Sequence, residues 1–444
     1  MPAPIDSSPE PTSPSARWRQ RKVLIVSEHA SSRFGGEAAL PLHYFRVMRK
    51  MGIDVRMITH DRVEAELRDT LGADIERVHF IRDNAAHKAL WKLSKLMPAR
   101  ISYFTTGFVS RALTQVLQRR LAKRLVRELG IEIVHQPMPV SPREPSLMHR
   151  LGAPVVIGPL NGNMHYPPAF QSPGAAWKRH VEGLAKRFGD LLNIVFPGKA
   201  KAAAILVANE RTREALPPKL QRAAFVVVEN GVDLAVWQRP AGKTAGQAEA
   251  PVAHFVFMGR LVDWKAVDLL LHAFARARAR SPMSLTILGD GPCGEALRAL
   301  SRELGLTGTS MREANHVFFA GWQSQAQCAA ELRASHALVL PSLSECGGAV
   351  VLEAMACGLP VVATAWGGPL DYLDDTTGFL VEPTSREGLI DGLADAMTAL
   401  SSSPALRAKM GQAARQRIES DFDWDRKVET VLTIYDHALG AAAR

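Results

Sequence analysis

The sequence predicts an α/β protein made of two doubly wound, Rossmann-like domains. Three observations support this. The chain has 444 residues, more than one hydrophobic core usually serves. Short β-branched runs alternate with amphipathic helical stretches along most of its length, the pattern of a parallel sheet covered on both faces. The alternation also comes in two successive sets. Strands are expected at 23–26, 55–59, 133–135, 155–157 and 205–208, and then at 225–229, 255–258, 285–288, 317–320, 337–340 and 361–363. The Ala-, Gly- and Pro-rich stretch 238–251 reads as an exposed loop within the second domain. The expected division is a disordered tail over 1–21, a first domain over 22–222, a second over 223–420 and a terminal segment over 421–444.

Composition narrows the class. With 47% hydrophobic and 22% charged residues, the chain falls in the ordinary globular range. Cys293, Cys328, Cys346 and Cys357 show no zinc or redox spacing and are too sparse for a disulfide scaffold, so a cytoplasmic setting is expected. The Pro- and Ser-rich start lacks the apolar core of an export signal, and no apolar run, 349–365 included, is long enough to span a bilayer.

The net charge is +10, and it is uneven: 85–127 holds ten Lys or Arg and no Asp or Glu. Such a run is either the solvated face of helices or a surface drawn to anionic lipid at the inner face of a membrane, or to a phosphorylated acceptor. No recognition helix, zinc finger or RNA-binding signature accompanies it, so nucleic acid is not an expected partner.

Candidate chemistry concentrates in two places. Between Cys346 and Leu370, Glu353 is the only charged side chain. Start and stop signals place it on a helix running from about Gly348 to Gly358. That helix is apolar nearly all round, so its carboxylate needs partners such as sugar or ribose hydroxyls. Just before it, Gly347, Gly348 and Ala349 offer a backbone without bulky side chains at a helix start, where amides and the helix dipole favour phosphate. Glu345 and Glu353 bracket that point. The second place is Gly259-Arg260 and Lys265, directly after the strand 255–258. Two cations at the carboxyl end of a parallel strand suit a diphosphate leaving group and can neutralise the charge that develops on it.

These residues resemble a known family. Gly259-Arg260 with Lys265, Leu288-Gly289-Asp290-Gly291-Pro292, Glu345 and Glu353 flanking seven residues, and Asn230-Gly231-Val232-Asp233 are similar to the motifs of family 4 retaining glycosyltransferases of GT-B fold. The resemblance covers the chain from about Lys22 onward. It implies two Rossmann-like domains facing across a cleft, with a C-terminal helix crossing back to the first domain, here around Trp424, Val428, Val431, Leu432 and Tyr435. It implies a nucleotide diphosphate sugar as donor, with Gly289 and Gly291 in a loop on the nucleotide side. Glu345 would lie near the transferred sugar, Glu353 on the ribose, and Arg260 and Lys265 on the diphosphate. Retention at the anomeric carbon, no metal and no cofactor are implied as well. In the first domain, Gly35-Gly36 after the first strand resembles the family's glycine-rich loop. His135 stands where some members carry a histidine near the donor sugar, and Gly158 to Asn163 resembles a further cleft loop. Ala266, Cys346-Gly347 and Asp371 depart from the pattern, standing where a glycine, Gly-Phe and a glutamate are frequent.

The resulting expectation is a glycosyltransferase acting on a glycan, lipid-linked or small-molecule acceptor in polysaccharide or glycoconjugate synthesis. Two other classes compete with it. The spacing Gly289-Asp290-Gly291-Pro292-Cys293-Gly294 also fits a dinucleotide fingerprint, but Pro292 removes an amide donor from the loop that would hold pyrophosphate. A catalytically silent scaffold of the same fold would have lost a member of the charged quartet Arg260, Lys265, Glu345 and Glu353, and all four are present.

Overall fold

The computed structural model describes residues 13–32, 36–98, 101–102, 105–171, 192–193, 195–237 and 252–442. They form two compact units. The first draws on Met1–Gly162, Arg179–Glu229 and Trp424–Arg444, and the second on Asn163–Lys178 and Asn230–Asp423.

The first unit holds a seven-stranded parallel sheet in the order β3-β2-β1-β4-β5-β6-β7. Its strands are β1 (Lys22–Val26), β2 (Asp54–His60), β3 (Val78–Ile81), β4 (Ile133–Gln136), β5 (Val155–Leu160), β6 (Ala204–Val207) and β7 (Ala224–Val226). Because successive side chains point to opposite faces, the apolar run of β1 serves two layers. Val23 and Ile25 join Tyr44, Phe45, Val431, Leu432 and Tyr435 on one face, while Leu24 and Val26 join Leu125, Val126 and Ile157 on the other. Burial on both faces explains why these strands read as continuous apolar runs. Each such side chain contributes about 1.5–3 kcal/mol when fully buried.

The last helix, Trp424–Ala442, completes the first of those layers. It packs on the helices Pro14–Trp18 and Gly36–Lys50.

The second unit holds a six-stranded parallel sheet in the order β10-β9-β8-β11-β12-β13. Its strands are β8 (Ala253–Met258), β9 (Met283–Leu288), β10 (Val317–Gly321), β11 (Ala337–Leu340), β12 (Val361–Thr364) and β13 (Gly378–Val381). Strand order reverses between β8 and β11, which pair in parallel through Phe255 with Ala337 and Val256 with Leu338. In open α/β sheets the crevice outside such a reversal is where ligands bind.

Several expectations are corrected. Part of the expected disordered tail is helical: Ser13 caps Pro14–Trp18, and Trp18 is fully buried against Tyr435, with ring centroids 5.3 Å apart. Burial of one indole holds a five-residue helix that would not persist alone. The strand expected at 225–229 is β7 and pairs with β6 of the first sheet, Phe225 opposite Leu206, so the unit boundary falls at Glu229 and not at 222. The described residues 163–171 belong to the second unit, where the Trp366 indole donates to the His165 carbonyl at 2.6 Å. Strands β3 and β13 were not expected. The loop expected at 238–251 lies outside the described residues. Among the described residues, no helix is long and apolar enough to cross a membrane.

Candidate active site

The loops after β8, β9 and β11 meet at the strand reversal of the second unit. After β8 the chain passes Gly259 and Arg260, then forms a short 3-10 turn over Asp263–Lys265. The Leu343 amide, just past β11, donates to the Trp264 carbonyl at 2.8 Å and ties the two loops together. Lys265 is thereby set beside Glu345, and its ammonium donates to the Glu345 carboxylate in an ion pair whose side chains are each 14% exposed. Eighty residues of chain separate the two.

The β9 loop lies flat on the β8 loop. The Gly259 amide donates to the Leu288 carbonyl and the Leu261 amide to the Asp290 carbonyl, both at 3.0 Å. At Gly289, with φ +136°, a Cβ would fall 1.9 Å from the Gly259 carbonyl oxygen, so only glycine allows this contact. Gly291 is packed in the same way against the backbone of Leu261.

The helix carrying Glu353 runs over Ala349–Ala356, as its start and stop signals predict. Gly348 caps it in the left-handed conformation, φ +74° and ψ +53°, with no side-chain cap hydrogen bond among the described residues. The leading amides and the positive end of the helix dipole are therefore available to an anion. Glu353 itself is half-buried. Burial raises its carboxyl to a pKa of about 7, and no hydrogen bond to that carboxylate comes from the described residues. The neighbouring Cys328 thiol is pushed up to about 11 by its own burial and then by the Glu353 charge. A carboxylate held this way gains from any hydroxyl donor that reaches it.

Not every expected residue joins this group. Arg260 is exposed, and its guanidinium makes no hydrogen bond or ion pair with the described residues. Gly35 lies outside the described residues, and Gly36 opens the helix Gly36–Lys50 in the first unit.

His135 is the clear correction. It is fully buried in β4, and both of its ring nitrogens are engaged. Nε2 donates to the Gly158 carbonyl at 2.6 Å, and Nδ1 accepts from the Tyr435 hydroxyl at 2.7 Å. Burial lowers its pKa to about 4, partly offset by the bond to Gly158 and reinforced by the Lys427 charge. It is a neutral structural histidine that no sugar can reach. Gly158 to Leu160, expected in a cleft loop, instead form the end of β5.

One site element was missed as such. Gly368 donates its amide to the Glu345 carbonyl at 2.7 Å, and a Cβ on Gly367 would lie 2.4 Å from that same oxygen. The Gly367-Gly368 pair therefore buttresses the Glu345 loop. The adjacent glycines were the available signal.

Residues 247–417 match the sequence model described as "Glycosyl transferases group 1". This stretch is similar to the glycosyl transferases group 1 family. The match spans β8 to β13 and every charged residue of the site. Two curated relatives are named D-inositol 3-phosphate glycosyltransferase. The protein from Kribbella flavida is 35% identical over 241 residues, covering 50% of this chain and 53% of the relative. That from Streptomyces avermitilis is 30% identical over 305 residues, covering 64% and 62%. The chain thus spans between about half and three fifths of the length of these relatives.

Among solved structures, HepE of Anabaena in complex with UDP and glucose aligns with TM-score 0.61 and 16% identity, over 94% of this chain and 99% of that one. A glycosyltransferase from Rickettsia africae aligns with TM-score 0.62 and 16% identity, over 94% and 98%. These likenesses show the fold, two Rossmann-like domains of GT-B type.

Proposed function

We propose that this protein transfers a sugar from a nucleotide diphosphate sugar to a hydroxyl acceptor with retention at the anomeric carbon, and needs no metal. The observation that carries the reading is the Lys265–Glu345 ion pair, set at a strand reversal beside a helix start that no side chain caps. In this reading the amides at Gly348 and Ala349 hold the donor diphosphate, and Glu353 accepts hydroxyl hydrogens of the ribose. The bond from the anomeric carbon to the diphosphate oxygen breaks while the acceptor oxygen bonds on the same face. The acceptor's proton passes to the departing phosphate oxygen. Lys265 and Arg260 stabilise the negative charge that grows on the leaving group, the term that dominates many transfers. Glu345 orients Lys265 and lies next to the transferred sugar.

The acceptor class is a glycan, a lipid-linked species or a small molecule, in polysaccharide or glycoconjugate synthesis in the cytoplasm. The name shared by the two relatives favours a phosphorylated cyclitol among these.

The test is to incubate the full chain with UDP-, GDP- and ADP-sugars and inositol phosphate, following nucleoside diphosphate release and the anomeric configuration of the product by NMR. Transfer with retained configuration is expected. Inversion, or donor binding without transfer to any acceptor offered, overturns the proposal and, in the second case, favours a silent scaffold.

A further inference from the structure

Exposed apolar side chains are clustered in the first unit. Twelve large hydrophobic residues are exposed among those described, and five of them fall between positions 91 and 109: Trp91, Leu93, Leu96, Ile101 and Val109. Trp91 is 59% exposed and Leu96 is 81% exposed. Scattered exposed hydrophobics need no explanation, but a group within one short stretch of chain does.

The packing shows that these residues are not used for folding. The helix Ala85–Ser94 buries only His87. That imidazole pins the helix through Thr114 at 3.1 Å and closes a capping box with Asn84. A polar pin thus does the docking that an apolar stripe usually does, and Trp91 and Leu93 remain exposed.

Charge identifies what would cover them. Over 85–127 there are ten Lys or Arg and no acid. Lys88 and Lys92 are exposed and form no ion pair with the described residues, and the Lys95 ammonium sits 3.6 Å from the centroid of the Trp91 ring. Three acids of the first unit outside this run are already engaged by its arginines and by Arg62: Asp83 and Glu28 lie 2.9 and 3.6 Å from Arg62, and Glu144 lies 2.6 Å from Arg111. The surface is therefore net positive as well as apolar. Protein interfaces are depleted in lysine, whereas lysines beside Trp and Leu on a surface helix are the composition of an element lying in a lipid headgroup region.

The geometry points to the helix Ala85–Ser94 and the two residues after it, Lys95 and Leu96, as a docking surface for an anionic lipid bilayer. Trp91, Leu93 and Leu96 enter the interface, and Lys88, Lys92 and Lys95 meet lipid phosphates. This does not depend on the transfer chemistry, since no site residue takes part.

The experiment is sedimentation of the full chain with vesicles of phosphatidylcholine alone and of phosphatidylcholine mixed with phosphatidylglycerol, at low and raised salt. Binding is expected only to the mixed vesicles and is expected to fall as salt rises. Lys88→Glu combined with Lys92→Glu should weaken it by roughly twenty-five-fold or more, at about fivefold for each lysine. Trp91→Ser combined with Leu96→Ser should weaken it by about tenfold, with the melting temperature unchanged because these side chains are exposed. Equal binding to both vesicle types, no binding at low salt, or undiminished binding by the Trp91/Leu96 variant overturns the proposal.

Discussion

Tyr435 donates its hydroxyl proton to Nδ1 of His135 at 2.7 Å, joining the last helix to the central strand β4 across 300 residues of sequence. Both groups are fully buried, so neither can turn to water if the other is removed. Tyr435→Phe is expected to lower stability by about 1–3 kcal/mol, the cost of an orphaned buried acceptor. Deleting 425–444 should cost far more, because Val428, Val431, Leu432 and Tyr435 leave the core with it. Denaturant unfolding measures both, and a truncated chain whose first unit melts unchanged would contradict the packing.

The same histidine makes stability depend on pH. Its folded pKa is about 4 against an ordinary 6.5, so between those values the unfolded chain binds the proton more readily. Stability is therefore complete above about pH 6.5 and is lost progressively as pH falls toward 4, by an amount of about 3 kcal/mol. Comparing stability curves for the normal protein and His135→Asn isolates this contribution. Parallel curves would refute it.

At Ala266 the backbone is left-handed, φ +49° and ψ +38°, a conformation that costs a residue with a Cβ about 1–2 kcal/mol. A glycine at this position would adopt the same conformation without that strain. Ala266→Gly should raise stability by about 0.5–1 kcal/mol once the added freedom of the unfolded chain is subtracted. A lower melting temperature would show that the alanine methyl contributes more by packing than the strain costs.

Glu353 should make donor affinity depend on pH in the opposite half of the scale. Its folded pKa is raised to about 7, and only the ionised form accepts freely from ribose hydroxyls. Affinity is expected to rise about tenfold between pH 6 and pH 8. Glu353→Gln should bind about 1–3 kcal/mol more weakly than the normal protein at pH 8 and lose the pH dependence. Calorimetric titration with the donor at several pH values is the check, and a flat profile in the normal protein returns Glu353 to a purely structural role.

Arg260 and Lys265 are expected to act on rate more than on binding. If they stabilise charge on the departing diphosphate, Arg260→Ala or Lys265→Ala should raise the barrier by about 2.7–4 kcal/mol while changing donor affinity less. Activity of the normal protein should survive EDTA, since the two side chains occupy the role of a divalent ion. Single-turnover transfer at saturating donor separates the outcomes. Full rates in the variants, or abolition by chelator, would remove both residues from the leaving-group site.

The second-unit site was legible because its parts are locally encoded. Gly289 and Gly348 stand where a close backbone approach and a left-handed cap demand glycine, and the helix ends of Ala349–Ala356 carry their own signals. What depends on distant packing was not legible. A histidine at a strand end looks the same whether it faces a ligand or, like His135, a tyrosine 300 residues away. The run 225–229 announces a strand but not its neighbour, and only the pairing with β6 assigns it to the first sheet. Strand β3 is four residues long, Val-His-Phe-Ile, too short for a clear periodicity. The helix Pro14–Trp18 exists through one buried indole, which composition cannot anticipate.

The first unit is assembled from chain on both sides of the second. During synthesis its sheet emerges early, yet one face stays only partly covered until Trp424–Ala442 has left the ribosome. The second unit is nearly contiguous and can finish folding in the interval. Birth order and completion order are thus reversed, and the apolar face of β1 and β4 awaiting its cover is the stage at which a nascent chain would most need a chaperone.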